Sequence, residues 1–423
     1  MIKVGIIGVG TVGSHVVKIL RENEDIITAR TGKKIVPVLG VVRDLNKPRE
    51  VDLPLSDSVD AVLENPEIDV VVELMGGVEA AYAIVTKALK HKKAVVTANK
   101  ALLAYHRYEL KDLAGETPIG YEASVAGGIP IIKALREGLS ANHIEAIKGI
   151  MNGTCNFILT KMMNEKAEFA DVLKEAQALG YAEADPSFDV GGFDAAHKLL
   201  ILASIAYGID VKPEEILIEG IEQINSEDIY FAKEFGYNIK LLTIAKKSGD
   251  QVELRVHPAL VPMQQMIAKV DGVMNGISVI GDRVGETMYY GPGAGGSATA
   301  SAVVSDLIDI ARHAQNSPML GFISSLEKSG LTLMCKDDIA TQYYIRVSVI
   351  DKIGVLSKIS EVLGKHSISI SSFIQKQDSK KSECAVLLFS THTCKEKDIQ
   401  KALCEISDLE FVERKPTMIR IES

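Results

Sequence analysis

The chain has 423 residues, of which 47% are hydrophobic and 24% charged, and its formal net charge is −9. This composition is typical of a globular protein and excludes a disordered, collagen-like or disulfide-dense chain. The acidic balance disfavours nucleic acid as a partner, and no apolar stretch approaches the roughly 20 residues that span a membrane. The five cysteines form no CxxC pattern, as expected in a reducing compartment. We therefore expect a cytoplasmic protein of about three domains that binds neither nucleic acid nor membrane.

Strand and helix signals alternate through the first third of the chain. Short β-rich runs, separated by helical segments, lie at 3–7, 35–42, 70–74, 94–97 and 119–122. This alternation predicts an α/β fold in which helices cover both faces of a parallel sheet. We assign the doubly wound, Rossmann-type sheet to residues 1–135.

From about residue 136 the pattern becomes mixed. Residues 136–296 predict an α+β domain, with a β-like run at 144–150 and helices at 157–163, 169–179 and 195–207. A helix at about 297–318 is expected to return to the first domain, and 319–340 to form a linker. Residues 341–423 carry strand and helix signals in the order β-α-β-β-α-β, which predicts a ferredoxin-like unit.

The first predicted strand runs into a GxGxxG motif at 8–13 that opens a helix. In this context Gly8 permits a tight turn, Gly10 lets the backbone approach a pyrophosphate, and Gly13 lets helix and strand pack closely. The helix N-terminus, at Thr11 and Val12, offers N–H groups to the phosphates. The motif therefore predicts a dinucleotide site; a strand-turn-helix without a ligand is the alternative.

The end of the second predicted strand should contact the ribose of this dinucleotide. Arg43 stands there, followed by Asp44. An arginine at this position accommodates the 2′-phosphate of NADP, whereas an acidic residue favours NAD. Because Arg43 comes first, we expect NADP as the cofactor, with NAD left open.

The segment 180–198 concentrates carboxylates, among them Glu183, Asp189 and Asp194, next to Lys198. Asp194 and Lys198 are four residues apart, so they share one face of a helix; a plain surface ion pair is the alternative. A nicotinamide enzyme that oxidises an alcohol must accept the hydroxyl proton, and a lysine whose pKa is lowered from ~10.4 can do so. The carboxylates could hold a substrate ammonium group. Lys100 follows the fourth strand, at the sheet edge where such folds bind ligands.

These motifs closely resemble the homoserine dehydrogenase family, in its longer form with a C-terminal ACT domain. The resemblance covers essentially the whole chain, and it is carried by GVGTVG at 8–13, TANKAL at 97–102, YEASVAGGIPII at 121–132, NGTCNFI at 152–158, AQALGYAEADPSFDVGGFDAAHK at 176–198 and GPGAGG at 291–296. It implies the reversible, NAD(P)-dependent interconversion of L-homoserine and L-aspartate 4-semialdehyde, in the route to threonine, methionine and isoleucine. The middle domain would then bind substrate and mediate oligomerisation.

The resemblance also implies roles for individual residues. Lys198 would donate and accept the proton, and Lys100 would lie beside the reacting oxygen and the nicotinamide. Gly295 would approach the cofactor from the second glycine cluster. Glu183 and Asp194 would hold the homoserine amino group, with Asp189 in support. The other substrate-binding residues would be Asn152, Gly153, Thr154 and Tyr181.

Three further expectations rest on the resemblance. Family members often bind a monovalent cation, usually sodium, whose ligands would here be Glu122, Val125, Gly127 and Ile129. The ACT unit would receive L-threonine as a feedback inhibitor at the turn that contains Asp351 and Gly354, with a ligand-free dimerisation module as the alternative. We expect a homodimer or a homotetramer.

Two other functions stay open at the level of the sequence. Aspartate-semialdehyde dehydrogenase uses the same metabolite but needs a nucleophilic thiolate, for which Cys155 is the central candidate. A non-catalytic sensor of nucleotide and amino acid would leave both lysines with structural roles.

Overall fold

The computed structural model describes residues 1–312, 318–323, 330–377 and 383–422. The N-terminal domain is a parallel sheet with the strand order β3-β2-β1-β4-β5-β6. Its strands are β1 (Ile2–Ile7), β2 (Ile35–Val41), β3 (Leu55–Ser56), β4 (Val70–Glu73), β5 (Ala94–Thr97) and β6 (Ile119–Gly120). The order changes direction between β1 and β4, and doubly wound sheets bind ligands at this switch point. The Rossmann-type fold predicted from the sequence is confirmed.

Helices cover this sheet, and every residue of β4 and β5 is consequently buried. The helices of this part of the chain are α1 (Thr11–Glu22), α2 (Glu24–Thr31), α3 (Asp60–Leu63), α4 (Glu79–Lys90) and α5 (Lys100–Ala114). Helices α1 and α5 each begin directly after a strand, so both N-termini lie at the carboxyl edge of the sheet. This edge contains the predicted cofactor motif and Lys100.

The middle domain is a mixed layer of helices on a largely antiparallel sheet, with the strand order β12-β11-β7-β9-β10. Its elements are α6 (Ile131–Lys133), β7 (Ile144–Ile150), α7 (Gly153–Glu165), α8 (Phe169–Ala178), α9 (Ser187–Val190), α10 (Phe193–Tyr207), β8 (Leu217–Ile218), α11 (Ser226–Glu234), β9 (Tyr237–Ser248), β10 (Gln251–Pro262), β11 (Met274–Gly281) and β12 (Gly285–Pro292). Helix α10 is buried along most of its length. Lys198 therefore projects from a helix that the core holds in place.

Strand β9 and helix α11 were not predicted from the sequence. Strand β9 lies between β7 and β10, and Ile239 through Ala245 are all buried. A strand covered on both faces has no alternation of polar and apolar residues, so the periodicity on which strand prediction rests is absent.

Helix α12 (Gly296–Arg312) returns to the first domain and packs against α1. Ala300, Val303 and Leu307 share a buried cluster with Val16 and Leu20. The sequence predicted a helix at about 297–318; its continuation over 313–317 lies outside the described residues.

The C-terminal unit has the predicted β-α-β-β-α-β order. Its elements are β14 (Ala340–Ile350), α13 (Val355–Lys365), β15 (Ile370–Gln377), β16 (Cys384–Thr391), β17 (Cys394–Lys395), α14 (Glu396–Ser407) and β18 (Thr417–Ile421). The short strand β13 (Thr332–Leu333) precedes this unit and pairs with β10 of the middle domain. The predicted last strand, 411–421, is shorter in the structure, where only Val412 makes an isolated bridge to Val349 before β18 begins.

The ACT sheet is joined to the middle sheet, which the sequence did not reveal. Strand β18 pairs in parallel with β10, through Ala259 with Arg420 and Leu260 with Ile421. The segment predicted as a linker, 319–340, is also anchored at its described parts, because Met319 is buried and Thr332 pairs with β10. No helix in the described part of the chain is long and apolar enough to cross a membrane.

Candidate active site

The turn after β1 has the geometry that a dinucleotide-binding motif requires. Gly8 has φ of +103°, and a Cβ there would lie 2.7 Å from the carbonyl oxygen of Leu74. A Cβ at Gly13 would lie 2.5 Å from the carbonyl oxygen of Gly8. At Gly10, by contrast, no atom of the described residues beyond its immediate chain neighbours and the adjoining helix backbone lies within 4 Å of the Cβ position. Gly8 and Gly13 are thus fixed by packing, and Gly10 leaves the helix N-terminus open to a ligand.

A cleft of about 1100 Å³ lies above this turn, lined by Gly8, Gly10 and Thr11 on one side and by Arg43 at its rim. The N–H groups in the first turn of α1, at Thr11 and Val12, have no partner within the helix and carry a partial positive charge. Because the turn, the helix N-terminus and the cationic rim converge on one cleft, these residues fit the pyrophosphate and ribose of a dinucleotide.

Two cations at this rim were not singled out from the sequence. Lys47 and Arg49 line the same cleft as Arg43, and the Arg49 guanidinium donates to the carbonyl oxygens of Val9 at 3.2 Å and Asp44 at 2.8 Å. Arg49 therefore ties the loop after β2 to the glycine turn. The three basic residues between positions 43 and 49 could have predicted this cationic rim from the sequence.

A second cavity, of about 640 Å³, adjoins the first and contains the predicted chemistry. Leu74 and Met75 line both cavities, so the two are neighbours. The second cavity brings together predicted residues from both domains, namely Val12, Lys100, Asn152, Gly153, Thr154, Tyr181, Glu183, Asp189, Asp194, Lys198 and Gly295. Two lysines and three carboxylates therefore face one space next to the dinucleotide cleft.

Asp194 is the electrostatic centre of this cavity. Its side chain is 5% exposed and accepts from the Nζ of Lys100 at 2.9 Å and the Nζ of Lys198 at 2.8 Å. Burial alone would raise the pKa of Asp194, but the two ammonium groups hold this pKa well below its usual range. The pKa of Lys100 is raised, because the pull of Asp194 outweighs the effect of burial on the ammonium. Asp194 is accordingly ionised and orders both lysines.

Asn152 links the carboxylates of Asp189 and Asp194 to the start of α7. Its amide nitrogen donates to Asp189 at 2.7 Å and to Asp194 at 2.9 Å, and its amide oxygen accepts the N–H of Cys155 at 2.8 Å as the helix N-cap. The Nζ of Lys198 also donates to the carbonyl oxygen of Met151 at 2.7 Å. The N-terminus of α7 therefore fixes the position of the carboxylates and of Lys198.

Asp189 and Glu183 are the carboxylates that the lysines leave available. Burial, followed by the nearby charge of Asp194, raises the pKa of Asp189. A ligand ammonium group would relieve this repulsion. Glu183 is exposed at the cavity wall, and Thr154 donates to the carbonyl oxygen of Tyr181 at 2.5 Å, which closes this side.

A buried polar network under the cavity was not predicted from the sequence. Glu73, at the end of β4, accepts the hydroxyl of Thr97 at 2.6 Å and the N–H of Met75 at 2.6 Å. Asn99 caps α5 through the N–H of Leu102 and donates to the carbonyl oxygen of Gly77 at 2.7 Å. The network joins the loop shared by both cavities to the helix that starts at Lys100.

Cys155 does not have the environment of a nucleophile. Its thiol is fully buried and donates to the carbonyl oxygen of Asp189 at 3.2 Å. Burial, together with the negative charges of Asp189 and Asp194, raises its pKa well above the usual value. Since the thiolate is the reactive form, the structure argues against thioester chemistry at this position.

The segment predicted to hold a cation follows β6. The Glu122 carboxylate is buried and accepts the N–H groups of Ile132 and Lys133, each at 2.9 Å. In the described ranges, no group of three His, Cys, Asp or Glu side chains could hold a metal ion. The carbonyl oxygens of Val125 and Gly127 accept none of the hydrogen bonds found among described residues. The carbonyl oxygen of Ile129, by contrast, accepts the N–H of Ile131 at 2.8 Å. The carbonyl oxygens of Val125 and Gly127 are therefore the ones in this segment that fit a cation.

In the C-terminal unit, the predicted effector residues line a cavity of about 450 Å³ at the start of α13. Gly354 has φ of +90° and precedes the helix as its N-cap. Asp351 accepts from the amide of Gln375, on the edge strand β15, at 3.3 Å. Beside this turn Ile353 is fully exposed.

The dinucleotide cleft, the adjoining lysine–carboxylate cavity and the C-terminal ferredoxin-like unit together define an NAD(P)-dependent oxidoreductase that acts on an alcohol and has a regulatory domain. Sequence comparison agrees: the family profile "Homoserine dehydrogenase" matches residues 130–308, "Homoserine dehydrogenase, NAD binding domain" matches 8–119, and "ACT domain" matches 343–411. The chain belongs to the homoserine dehydrogenase family, whose members interconvert L-homoserine and L-aspartate 4-semialdehyde.

Individual relatives support this assignment over the whole chain. A homoserine dehydrogenase of Helicobacter pylori is 56% identical, with 100% of this chain and 99% of the relative covered. A crystal structure of a homoserine dehydrogenase from Thiobacillus denitrificans superposes with a TM-score of 0.94 at 46% identity, covering 100% of this chain and 98% of that one. A hyperthermophilic archaeal homoserine dehydrogenase in complex with NADPH matches with a TM-score of 0.62 at 28% identity, covering 73% and 97% of the respective chains.

Proposed function

We propose that Lys198 donates and accepts the proton that moves as homoserine and aspartate 4-semialdehyde are interconverted. The observation that carries this role is the pair of contacts between Asp194 and the Nζ atoms of Lys198 and Lys100, from two different domains. Lys198 lies on a buried helix with its side chain 11% exposed, so its amine has a fixed position next to the cleft. In its neutral amine form Lys198 accepts the hydroxyl proton on oxidation, and in its ammonium form it returns that proton on reduction.

Lys100 has a different role in this proposal, because it begins α5 at the edge of the sheet. Its ammonium stabilises the negative charge that develops on the substrate oxygen, as preorganised cations do in water-poor sites. NADP, when bound, supplies the hydride acceptor. The chain's own residues orient the alcohol, exclude water and move the proton.

The substrate ammonium group is assigned to Asp189 and Glu183. The resemblance implies that Glu183 and Asp194 hold this group, with Asp189 in support. Because both oxygens of Asp194 accept from lysines, we instead assign Asp194 to ordering the lysines. Asp189 is the best placed of the others, because a positive ligand would offset the burial and repulsion that raise its pKa. Asn152, Gly153, Thr154 and Tyr181 complete the wall of this pocket.

A lysine variant tests the proton role. Lys198→Ala is expected to lower kcat by at least about a hundredfold, in the range for loss of a general acid–base group, and to leave the dissociation constant for NADPH unchanged. Lys174→Ala, which removes an exposed lysine of α8, serves as the control. A Lys198→Ala enzyme that turns over within tenfold of wild type would refute the assignment.

The cofactor preference is proposed as NADP over NAD. Arg43, Lys47 and Arg49 place positive charge at the rim of the cleft, which suits a 2′-phosphate, and one archaeal relative has been crystallised with NADPH. Homoserine oxidation assayed with NAD and NADP side by side tests the preference. Arg43→Ala should reduce the ratio of kcat/KM for NADP to that for NAD, and an unchanged ratio would count against Arg43.

A monovalent cation, sodium in the first instance, is proposed at Glu122, Val125, Gly127 and Ile129. This proposal is supported by the carbonyl oxygens of Val125 and Gly127, which accept no hydrogen bond from the described residues. A cation there would stabilise the segment between the two domains. Thermal unfolding in sodium, potassium and choline chloride at equal ionic strength tests it; a Tm independent of the cation would contradict the site.

The ACT unit is proposed to bind L-threonine at the turn of Asp351 and Gly354, between the subunits of a homodimer or homotetramer. The open helix N-terminus after Gly354 can receive a carboxylate, and the exposed Ile353 and the edge strand β15 are surfaces that a second copy could cover. Inhibition by threonine should be lost in Gly354→Glu while basal activity is kept. Equal sensitivity of the variant and wild type would remove this proposal.

A further inference from the structure

The last strand of the ACT unit places a fully buried arginine against the middle domain. Arg420 donates two hydrogen bonds to Glu219, at 2.7 and 2.9 Å, and two to Glu396, at 2.6 and 2.9 Å. Its side chain is 0% exposed, whereas that of Glu219 is 26% exposed. Glu396 belongs to the ACT unit and Glu219 to the middle domain, so Arg420 links the two units.

The backbone around Glu219 packs directly on the turn that precedes the catalytic helix. A Cβ at Gly220 would lie 2.4 Å from the carbonyl oxygen of Val190, and the N–H of Ile221 donates to that same oxygen at 2.9 Å. A Cβ at Gly192 would lie 3.3 Å from the carbonyl oxygen of Glu219. The segment that Arg420 holds is therefore in contact with residues 190–192.

This turn controls the position of two carboxylates of the active site. Asp189 lies at the end of α9, one residue before Val190, and Asp194 lies two residues after Gly192, at the start of α10. Gly192 has φ of +86°, so the turn adopts a conformation that few other residues could take. A small movement of residues 219–221 would move both carboxylates relative to Lys100, which is fixed by a different domain.

We propose that Glu219 is a positioning residue of the active site, which Arg420 of the ACT strand holds in place and which fixes the turn between Asp189 and Asp194. Through this contact, a movement of the ACT unit would shift the carboxylates of Asp189 and Asp194 without involving the dinucleotide cleft. This proposal rests on the proposed role of Asp189 in holding the substrate ammonium group.

The interface between the two units offers a matched control. Arg346, on β14, donates to Asp228, on α11, at 2.7 Å, and the Asp228 side chain is 0% exposed, against 26% for Glu219. Asp228 is adjacent in sequence to neither the turn at 190–192 nor the segment 219–221. Neutralising either carboxylate weakens the same interface, but of the two Glu219 is the one next to the turn at 190–192.

The test compares Glu219→Gln with Asp228→Asn in the full-length enzyme. Glu219→Gln should raise the KM for homoserine by roughly two- to thirtyfold, the range seen for coupling through packed networks, with the dissociation constant for NADPH unchanged. Asp228→Asn should lower Tm and leave that KM at the wild-type value. The proposal is overturned if Glu219→Gln leaves the KM unchanged or if both variants shift it equally.

Two additional variants complete the design. Arg420→Lys keeps the charge but loses the planar guanidinium group that binds two carboxylates. It should therefore raise the KM for homoserine in the same way, even if Glu219→Gln does not fold. A wild-type KM in Arg420→Lys would overturn the proposal. Asp189→Asn tests the role of Asp189 in binding substrate separately from the positioning role of Glu219. A raised KM in Asp189→Asn with a normal KM in Glu219→Gln rejects only the positioning role, whereas an unchanged KM in Asp189→Asn rejects the substrate assignment itself.

Discussion

Replacing Asp194 by asparagine should disable the enzyme without disturbing cofactor binding. Asp194 is the shared acceptor of Lys100 and Lys198 and is itself buried. Asparagine keeps the size of the side chain but removes its charge, and only one of its two polar atoms can accept a hydrogen bond. One lysine therefore loses its bond to residue 194, and the two ammonium groups face each other without a carboxylate between them.

The structure sets the size of this effect. A hydrogen bond to a charged group contributes about 1.5–3 kcal/mol, and two such bonds converge on Asp194. Loss of one bond and weakening of the other should raise the free energy of the transition state by about 3–5 kcal/mol. This is similar to the effect of removing one partner from a buried ion pair. At about 1.4 kcal/mol per tenfold, kcat/KM for homoserine should fall by roughly two to four orders of magnitude.

The assay is initial-rate homoserine oxidation across a range of pH, together with NADPH binding by fluorescence. The pKa of Lys100 should fall in Asp194→Asn, because the carboxylate that raises it is gone. Asp185→Asn is the control, since Asp185 is an exposed carboxylate of the same segment. A kcat/KM within tenfold of wild type in Asp194→Asn would refute the view that this carboxylate orders both lysines.

Three other predictions concern residues around the site. Thr97→Val removes the hydroxyl that donates to Glu73 at 2.6 Å. Because an unsatisfied buried acceptor costs about 1–3 kcal/mol, Tm and kcat should both fall. A variant with wild-type values for both would contradict the network's role. Cys155→Ala should keep kcat within tenfold, because the buried thiol has no catalytic part; loss of turnover in a folded variant would revive the thioester alternative. Burial, opposed by Lys133, raises the pKa of Asp306 to about 7. The folded state therefore favours the protonated Asp306 carboxyl, and this contribution to the free energy of unfolding is lost as pH rises from about 4 to 7. Denaturation from pH 5 to 8 should therefore show a declining advantage of wild type over Asp306→Asn, and parallel curves would exclude this titration.

The sequence was informative wherever function and local structure depend on the same short segment. The motif at 8–13 predicted a turn whose packing makes glycine necessary at positions 8 and 13 and leaves position 10 open. The spacing of Asp194 and Lys198 likewise placed them on one helical face, where they bond at 2.8 Å. Local geometry fixes both features.

Long-range contacts account for what the sequence could not show. Nothing near Lys100 indicates that it reaches Asp194, since the two residues lie on different domains and meet only after both domains fold. Glu73 looked like part of an apolar strand, and its hydroxyl and amide donors come from the next strand and its own loop. The pairing of β18 with β10 joins two units that the sequence pattern divides.

The most direct test of the account is a crystal structure of the ternary complex with NADP and homoserine. The account predicts the Nζ of Lys198 within hydrogen-bonding distance, about 3.2 Å or less, of the homoserine hydroxyl oxygen, with the substrate ammonium group on Asp189. A complex in which Lys198 stays bound only to Asp194 and Met151, and another group contacts the hydroxyl, would contradict it.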